Sequence, residues 1–230
     1  LVKLEERDHP NNQYELLKKA GIRIPKMFAS PADIDRLVIV KVNEAERGYE
    51  RAFFFASSAK DYAQKSEQLL KSKTITAAAL KNATIEEYVL GAQVNFNYFY
   101  SNINGELELM GTDTRRQTNL DGLLRLPANE QLEVLKHIGS PKMVETGHSA
   151  VTVKESLLEK AFAAGEKFIA TLKKEALPAS GAAAPGMIGP FALQGAIAAE
   201  EGREEIVIFD VSMRIPGSPG TRFTPYSGYL

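Results

Sequence analysis

The chain has no cysteine. Disulfides and thiolate metal sites are therefore excluded, and the absence accords with a cytoplasmic protein. It has three histidines, His9, His137 and His148, too few for a multi-histidine metal centre. No stretch of 18 apolar residues occurs, so no apolar helix of spanning length is expected and no membrane partner. The net charge is −1 with no long basic run, which removes the footprint a nucleic-acid partner needs. What is present is ordinary for a globular protein. Apolar residues make up 44% and charged residues 25% of 230, enough for one large domain or two small ones. The chain starts at Leu1 and stops on "PYSGYL", and reads as a piece of a longer protein.

Periodicity sets out the elements. "YELLKKAGI" is a short helix closed by Gly21. "LVIVKV" (37–42) and "RAFFFA" (51–56) are buried strands joined by "NEAERGYE". Ser57 or Ser58 caps the helix that follows, and "TIEEYVL" (84–90) is a further strand. "AQVNFNYFYS" alternates, turns at Asn104-Gly105 and returns as "ELELMGTD". "TVKESLLEKAFAAGEKFIATLKKEA" is an amphipathic helix with a Thr152/Glu155 capping box. "LPASGAAAPG" is a small-residue loop or linker. "PFALQGAIA" and "EEIVIFDVSMRI" form a hairpin across "AEEGRE". Hairpins outnumber strand-helix-strand units, so the expected class is α+β with largely antiparallel sheets.

Several stretches carry candidate chemistry, each beside a plainer reading. Lys41 lies among valines; buried, it needs a counter-charge such as phosphate, whereas on an edge strand it reaches solvent. Loop 43–50 hangs where phosphates could be covered, but Gly48 is its one glycine, and an ordinary hairpin loop fits too. Glu86 and Glu87 end a strand whose backbone could hold adenine and ribose; adjacent strand residues face opposite ways, so one acid at most lines a given pocket, and a solvated edge is the alternative. In "GTDTRRQTNLDG", Asp113, Arg115, Arg116, Gln117 and Asn119 follow a strand that should be ending, as an anion site or an exposed loop. His148 sits after a glycine and before a strand, as a ligand contact or a structural residue. In 204–215, period two puts Asp210, Ser212 and Arg214 on one face with Ile206 and Ile208. Gln194 can face the same way across the hairpin. Gln194 and Asp210 could share a hard cation, with Arg214 meeting its phosphoryl group, or the face could be wet.

Together these residues resemble an ATP-grasp ligase. The strings "GTDTRRQTNLDGLLRLPA", "PGMIGPFALQ", "FDVSMRIPGSPGT" and "PYSGYL" resemble the PurP family, the archaeal formate-dependent 5-formaminoimidazole-4-carboxamide ribonucleotide (FAICAR) synthetases, from about residue 14 onward. The resemblance implies an ATP-grasp fold. It implies a remnant of an N-terminal domain at 1–25, a small subdomain at 26–90 and a large one at 91–230. It implies ATP, formate and 5-aminoimidazole-4-carboxamide ribonucleotide (AICAR) as substrates, Mg²⁺ or Mn²⁺ as cofactor, and a cytoplasmic homo-oligomer. By position it gives ATP contacts to Lys41, Glu86, Glu87, Tyr88, Val89 and Gln117. Substrate contacts fall to His148, Arg115 and Arg116, metal ligation to Gln194 and Asp210, and a catalytic role to Arg214. Gln117 stands where the family usually has Glu, and His148 where it usually has Asn. Loop 43–50 is poor in the family's usual glycine.

Overall fold

The computed structural model describes residues 10–42, 53–117, 120–138, 145–175, 187, 189–200 and 202–214. The covering loop 43–50, the linker 177–186 and the "PYSGYL" terminus lie outside the described residues. The chain divides into two compact units: Leu1–Ile24 with Gly91–Arg116 and Gly147–Leu230, and Pro25–Leu90 with Gln117–Thr146. Segment 117–146, grouped above with 91–230, thus packs with 25–90.

The unit built on Pro25–Leu90 holds a four-stranded antiparallel sheet in the order β1 (Met27–Phe28), β4 (Thr84–Glu87), β2 (Val38–Lys41), β3 (Phe53–Ala56). Alternation sends Val38, Val40, Phe54 and Ile85 to one face, where they pack with Leu69 and Leu70 of α2 (Ala59–Lys71) and with Ala79 and Leu80 of α3 (Ala77–Lys81). The Ser58 side chain accepts from the Asp61 amide and caps α2, as the sequence suggested. Leu37, Ile39, Phe55 and Tyr88 pack on the other face with Leu123 of α4 (Leu120–Leu123) and Leu135 of α5 (Ala128–His137).

The other unit holds a five-stranded sheet in the order β7 (Glu145–Ala150), β6 (Glu106–Gln117), β5 (Ala92–Ser101), β8 (Gly189–Glu200), β9 (Arg203–Ser212). Both hairpins read from the sequence are present, and Gly105 takes the positive φ of 72° its turn requires. Val94, Phe96, Tyr98, Phe191, Leu193, Ile206, Ile208 and Val211 form one apolar face. Leu157, Ala161, Phe168, Ile169 and Leu172 of α6 (Glu155–Glu175) cover it, with Leu16 and Leu17 of α1 (Gln13–Lys19). The Tyr98 hydroxyl donates to the Ala161 carbonyl at 2.7 Å, fastening helix to sheet. Helix α6 begins at Glu155, and the amides of Leu157 and Leu158 donate to the Lys154 carbonyl. The chain therefore enters the helix beyond Thr152, and the expected capping box does not sit at its start.

Strand β9 departs from the simple alternation. Gln194 pairs with Asp210, but Gly195 pairs with Ile208, so Phe209 is one residue in excess: a β-bulge. The apolar face takes Ile206 and Ile208 before the bulge and Val211 after it. Asp210 and Ser212 consequently share no face with Ile206 and Ile208. The backbone groups around the bulge are met by the α1 segment. The Tyr14 hydroxyl donates to the Phe209 carbonyl, the Val211 amide to Gln13 Oε1, and the Ile208 amide to the Arg23 carbonyl, at 3.2, 2.8 and 2.9 Å. The same contacts cover the outer edge of β9, an exposed template otherwise.

Candidate active site

With its apolar face packed, the five-stranded sheet turns a second face the other way, and this face is polar. Asp113 on β6 lies opposite Asn95 on β5, Asn95 opposite Gln194 on β8, and Gln194 opposite Asp210 on β9. Four polar residues thus form one straight row across four strands, about 14 Å long at three strand spacings. Most of the row is out of water. Asp113 is 0% exposed, and Asn95 and Gln194 are each 7% exposed. A sheet face holding this much buried polarity in line is costly unless each group is bonded or receives a ligand.

The Asp113 end is fully bonded. Its Oδ1 accepts from Asn95 Nδ2 at 2.8 Å and lies 2.6 Å from His148 Nδ1; its Oδ2 accepts from Asn97 Nδ2 at 2.6 Å. At the other end Gln194 Oε1 accepts from Arg115 Nη2 at 2.8 Å, and Asp210 is half-buried. Gly147, just before His148, has φ 141°, and a Cβ there would meet open space. Backbone conformation, more than crowding, calls for glycine.

Several sequence expectations change. Strand β6 continues to Gln117, so Arg115 and Arg116 lie within it and not in a loop. Successive strand residues face opposite ways, so Arg115 reaches the polar row and the exposed Arg116 does not join it. The side chain of Gln117 lies outside the described residues. Strand β9 ends at Ser212, leaving Arg214 exposed beyond it and off the row. His148 lies inside β7, not ahead of a strand. Asn95 and Asn97 were missed; asparagine is depleted in strands, and two at i and i+2 in "VNFNY" were the signal.

In the Pro25–Leu90 unit, β2 is an interior strand, so Lys41 is no edge residue. Its ammonium pairs with the carboxylate of Glu86, which is 2% exposed. Strand β4 ends at Glu87, short of the expected 90. Glu87 faces away from Glu86; its carboxylate accepts from the Lys26 amide at 3.0 Å and lies 3.5 Å from Arg36. Tyr88 packs edge-on to Phe55 with ring centroids 4.6 Å apart, and Val89 is buried beside it in sequence. Burial pushes the Tyr88 hydroxyl pKa far above the ordinary tyrosine value.

Two antiparallel sheets flanked by helices define the class of protein, and solved structures share it. Similar folds are the IMP biosynthesis protein PurP from Thermococcus kodakaraensis (TM-score 0.55, 23% identity, 89% of this chain and 53% of that one) and phosphoribosylamine–glycine ligase from Thermotoga maritima (TM-score 0.55, 16% identity, 90% and 47%). The fold is ATP-grasp. The chain belongs to the family described as a domain of unknown function, DUF1297, which matches residues 61–230. Curated relatives bear the name 5-formaminoimidazole-4-carboxamide-1-(beta)-D-ribofuranosyl 5'-monophosphate synthetase, in line with the resemblance read from the strings. That of Methanocaldococcus jannaschii is 42% identical over 215 residues, 93% of this chain and 55% of the relative. That of Methanothermobacter thermautotrophicus is 40% identical over 207 residues, 90% and 53%. The chain spans about half the length of the curated relatives it matches. No helix among the described residues is long and apolar enough to cross a membrane.

Proposed function

We propose that the chain is part of a cytoplasmic ATP- and formate-dependent ligase that formylates the 5-amino group of AICAR, giving FAICAR in purine biosynthesis. The observation that carries this reading is the polar row Asp113–Asn95–Gln194–Asp210 on the sheet face opposite the one that α6 packs against. The likeness to the named relatives supports it.

The proposed chemistry has two steps. A formate oxygen attacks the γ-phosphorus of ATP, forming formyl phosphate as the bond to ADP breaks. The ribonucleotide amine then attacks the formyl carbon; the carbon–oxygen bond to phosphate breaks, phosphate leaves, and the nitrogen gives up a proton. Formate is a poor electrophile until that leaving group is installed, so the protein's task is to offset charge and align reactants. Lys41 and the Glu86–Val89 segment hold ATP, with Gln117 as a further contact. Arg115 and His148 meet the ribonucleotide, Arg116 being a lesser contributor from its other face, and Arg214 meets the phosphoryl group being transferred. Gln194 and Asp210, oxygen donors directly across one strand pair, suit Mg²⁺ or Mn²⁺. Such an ion, when bound, offsets polyphosphate charge.

The deciding experiment measures ADP release by the full-length protein with ATP and Mg²⁺, adding formate, AICAR or both. Release that needs formate, with FAICAR formed only when AICAR is present, is expected. A different acid or amine supporting release would make it another ATP-grasp carboxylate–amine ligase. ATP binding without release under any combination would make it a nucleotide-binding relative without this activity.

A further inference from the structure

We propose that Asn95 and Gln194 together recognise a carboxamide on the substrate: its N–H donates to Asn95 Oδ1, and its carbonyl oxygen accepts from Gln194 Nε2. The proposal rests on the reading that this face receives AICAR, whose imidazole carries a carboxamide beside the reacting 5-amino group. Asn95 and Gln194 are direct neighbours on β5 and β8, a register that sets Cβ atoms about 5 Å apart. Both stand in the middle of the polar row, and each is 7% exposed.

An amide side chain has an accepting end and a donating end, and here charged neighbours decide which end goes where. Asn95 Nδ2 donates to the Asp113 carboxylate at 2.8 Å; turned over, it would set its oxygen against that carboxylate. Gln194 Oε1 accepts from the Arg115 guanidinium at 2.8 Å; turned over, it would set its NH2 against a group that only donates. Asn95 Oδ1 and Gln194 Nε2 are the ends left over. Neither has a hydrogen-bond partner among the described residues, and neither is sealed from solvent, in contrast to Asn97 Oδ1. Two unmet polar ends on a nearly buried face are costly until a ligand meets them. The pair therefore offers one acceptor next to one donor, and a carboxamide is the complement. Formate, a carboxylate or a phosphoryl group has no N–H for Asn95 Oδ1 and would bring oxygen against it. The edge of adenine has the same pattern as a carboxamide, but ATP is assigned above to Lys41 and the Glu86–Val89 segment, which belong to the other unit. Gln194 Oε1, on the opposite prong, stays with Arg115 and the cation.

Steady-state kinetics of the full-length protein test the pair, using AICAR and its analogue with a carboxylate in place of the carboxamide. The parent should prefer the carboxamide about a hundredfold or more in kcat/KM, because a site built to hydrogen-bond an N–H rejects an analogue lacking it. Asn95→Leu should raise KM for AICAR about tenfold, the scale of one hydrogen bond. It should also cut the preference about tenfold, since the analogue's second oxygen no longer faces Oδ1. Gln194→Glu keeps an oxygen for Arg115 and the cation but exchanges the donor for an acceptor. It should raise KM for AICAR by about the same factor with no rise in the Mg²⁺ requirement, an outcome that a role in cation binding alone does not produce. KM for ATP should stay within about twofold in both variants. Asn95→Leu also gives up the bond to Asp113; should it fail to fold, Gln194→Glu and the parent's preference decide the matter. A parent that does not distinguish the two ribonucleotides, or variants with KM for AICAR unmoved, overturns the pairing while formylation of AICAR stands. A rise in KM for ATP in place of AICAR assigns the pair to adenine and overturns it as well. If AICAR supports no turnover in the parent, the functional reading fails and the pairing with it.

Discussion

Lys41 and Glu86 show how a residue's stability role and its ligand role can be separated. The sequence marked Lys41 as a buried cation in want of a counter-charge, and Glu86 as half of an acid pair. It could not show that each answers the other, because they lie on strands separated by more than forty residues. Glu86, at 2% exposure, loses the ammonium paired with its buried carboxylate once the lysine is removed. Lys41→Met should therefore destabilise the protein by about 3–5 kcal/mol, measured by urea denaturation. Lys41→Met with Glu86→Leu should recover to within about 1 kcal/mol of the parent. ATP affinity should fall in both variants, and more than AICAR affinity, because both lack the cation; unaltered ATP titrations would confine Lys41 to structure. Asp210 offers a second test. It is half-buried and at the end of the row, so Asp210→Asn should keep the fold. Its amide is a weaker ligand for a hard cation, so turnover at limiting Mg²⁺ should be lost. Unchanged turnover there would remove Asp210 from any metal role.

Strand β9 was recognised from its sequence, and so were its partner β8 and the hairpin between them. Its faces were misassigned, because alternation in "EEIVIFDVSMRI" looks equally regular whether or not one residue is skipped. Phe209 carries no local mark of excess; only the pairing with β8 and the three contacts from the α1 segment reveal it. The arginine pair was placed in a loop because the polar residues of β6 suggested an end, when one of them, Asp113, belongs to the polar row and Arg115 reaches it. Gly195 was likewise silent. A Cβ there would run into the Val207 carbonyl oxygen and Ile208 Cδ1, just where the bulge resets the register. Backbone cannot yield as a side-chain tip can, so Gly195→Ala should cost about 1–3 kcal/mol. It should also raise the Mg²⁺ requirement, since it shifts Asp210 relative to Gln194. Normal stability with normal Mg²⁺ dependence would mean that the hairpin absorbs the methyl without moving its polar pair.

Each unit buries a tyrosine at its centre: Tyr98 against Phe191, centroids 4.9 Å apart, in one, and Tyr88 against Phe55 in the other. Burial raises both hydroxyl pKa values above the unfolded value near 10. The stability they contribute is complete below that value and declines as pH rises above it, by about 1.4 kcal/mol per pH unit for each. Alkaline titration followed at 295 nm should show the exposed phenols ionising first. Tyr88 and Tyr98 should ionise only together with the loss of far-ultraviolet circular dichroism. Ionisation of all eight tyrosines in one phase with the circular dichroism intact would contradict the burial. The α+β class and antiparallel pairing were legible at this scale, because hairpin turns and two-residue periods are local signals. The grouping of 117–146 with 25–90 was not, since it depends on Leu123 and Leu135 covering Phe55 and Tyr88, a long-range match that no periodicity encodes. The consequence reaches the gene. The chain passes from one unit to the other at residues 24/25, 90/91, 116/117 and 146/147, so no single uninterrupted coding cassette specifies either one. A recombination that exchanges 25–90 alone would import a sheet without the helices that cover half of it. An exchange with a relative would have to carry every segment of a unit at once.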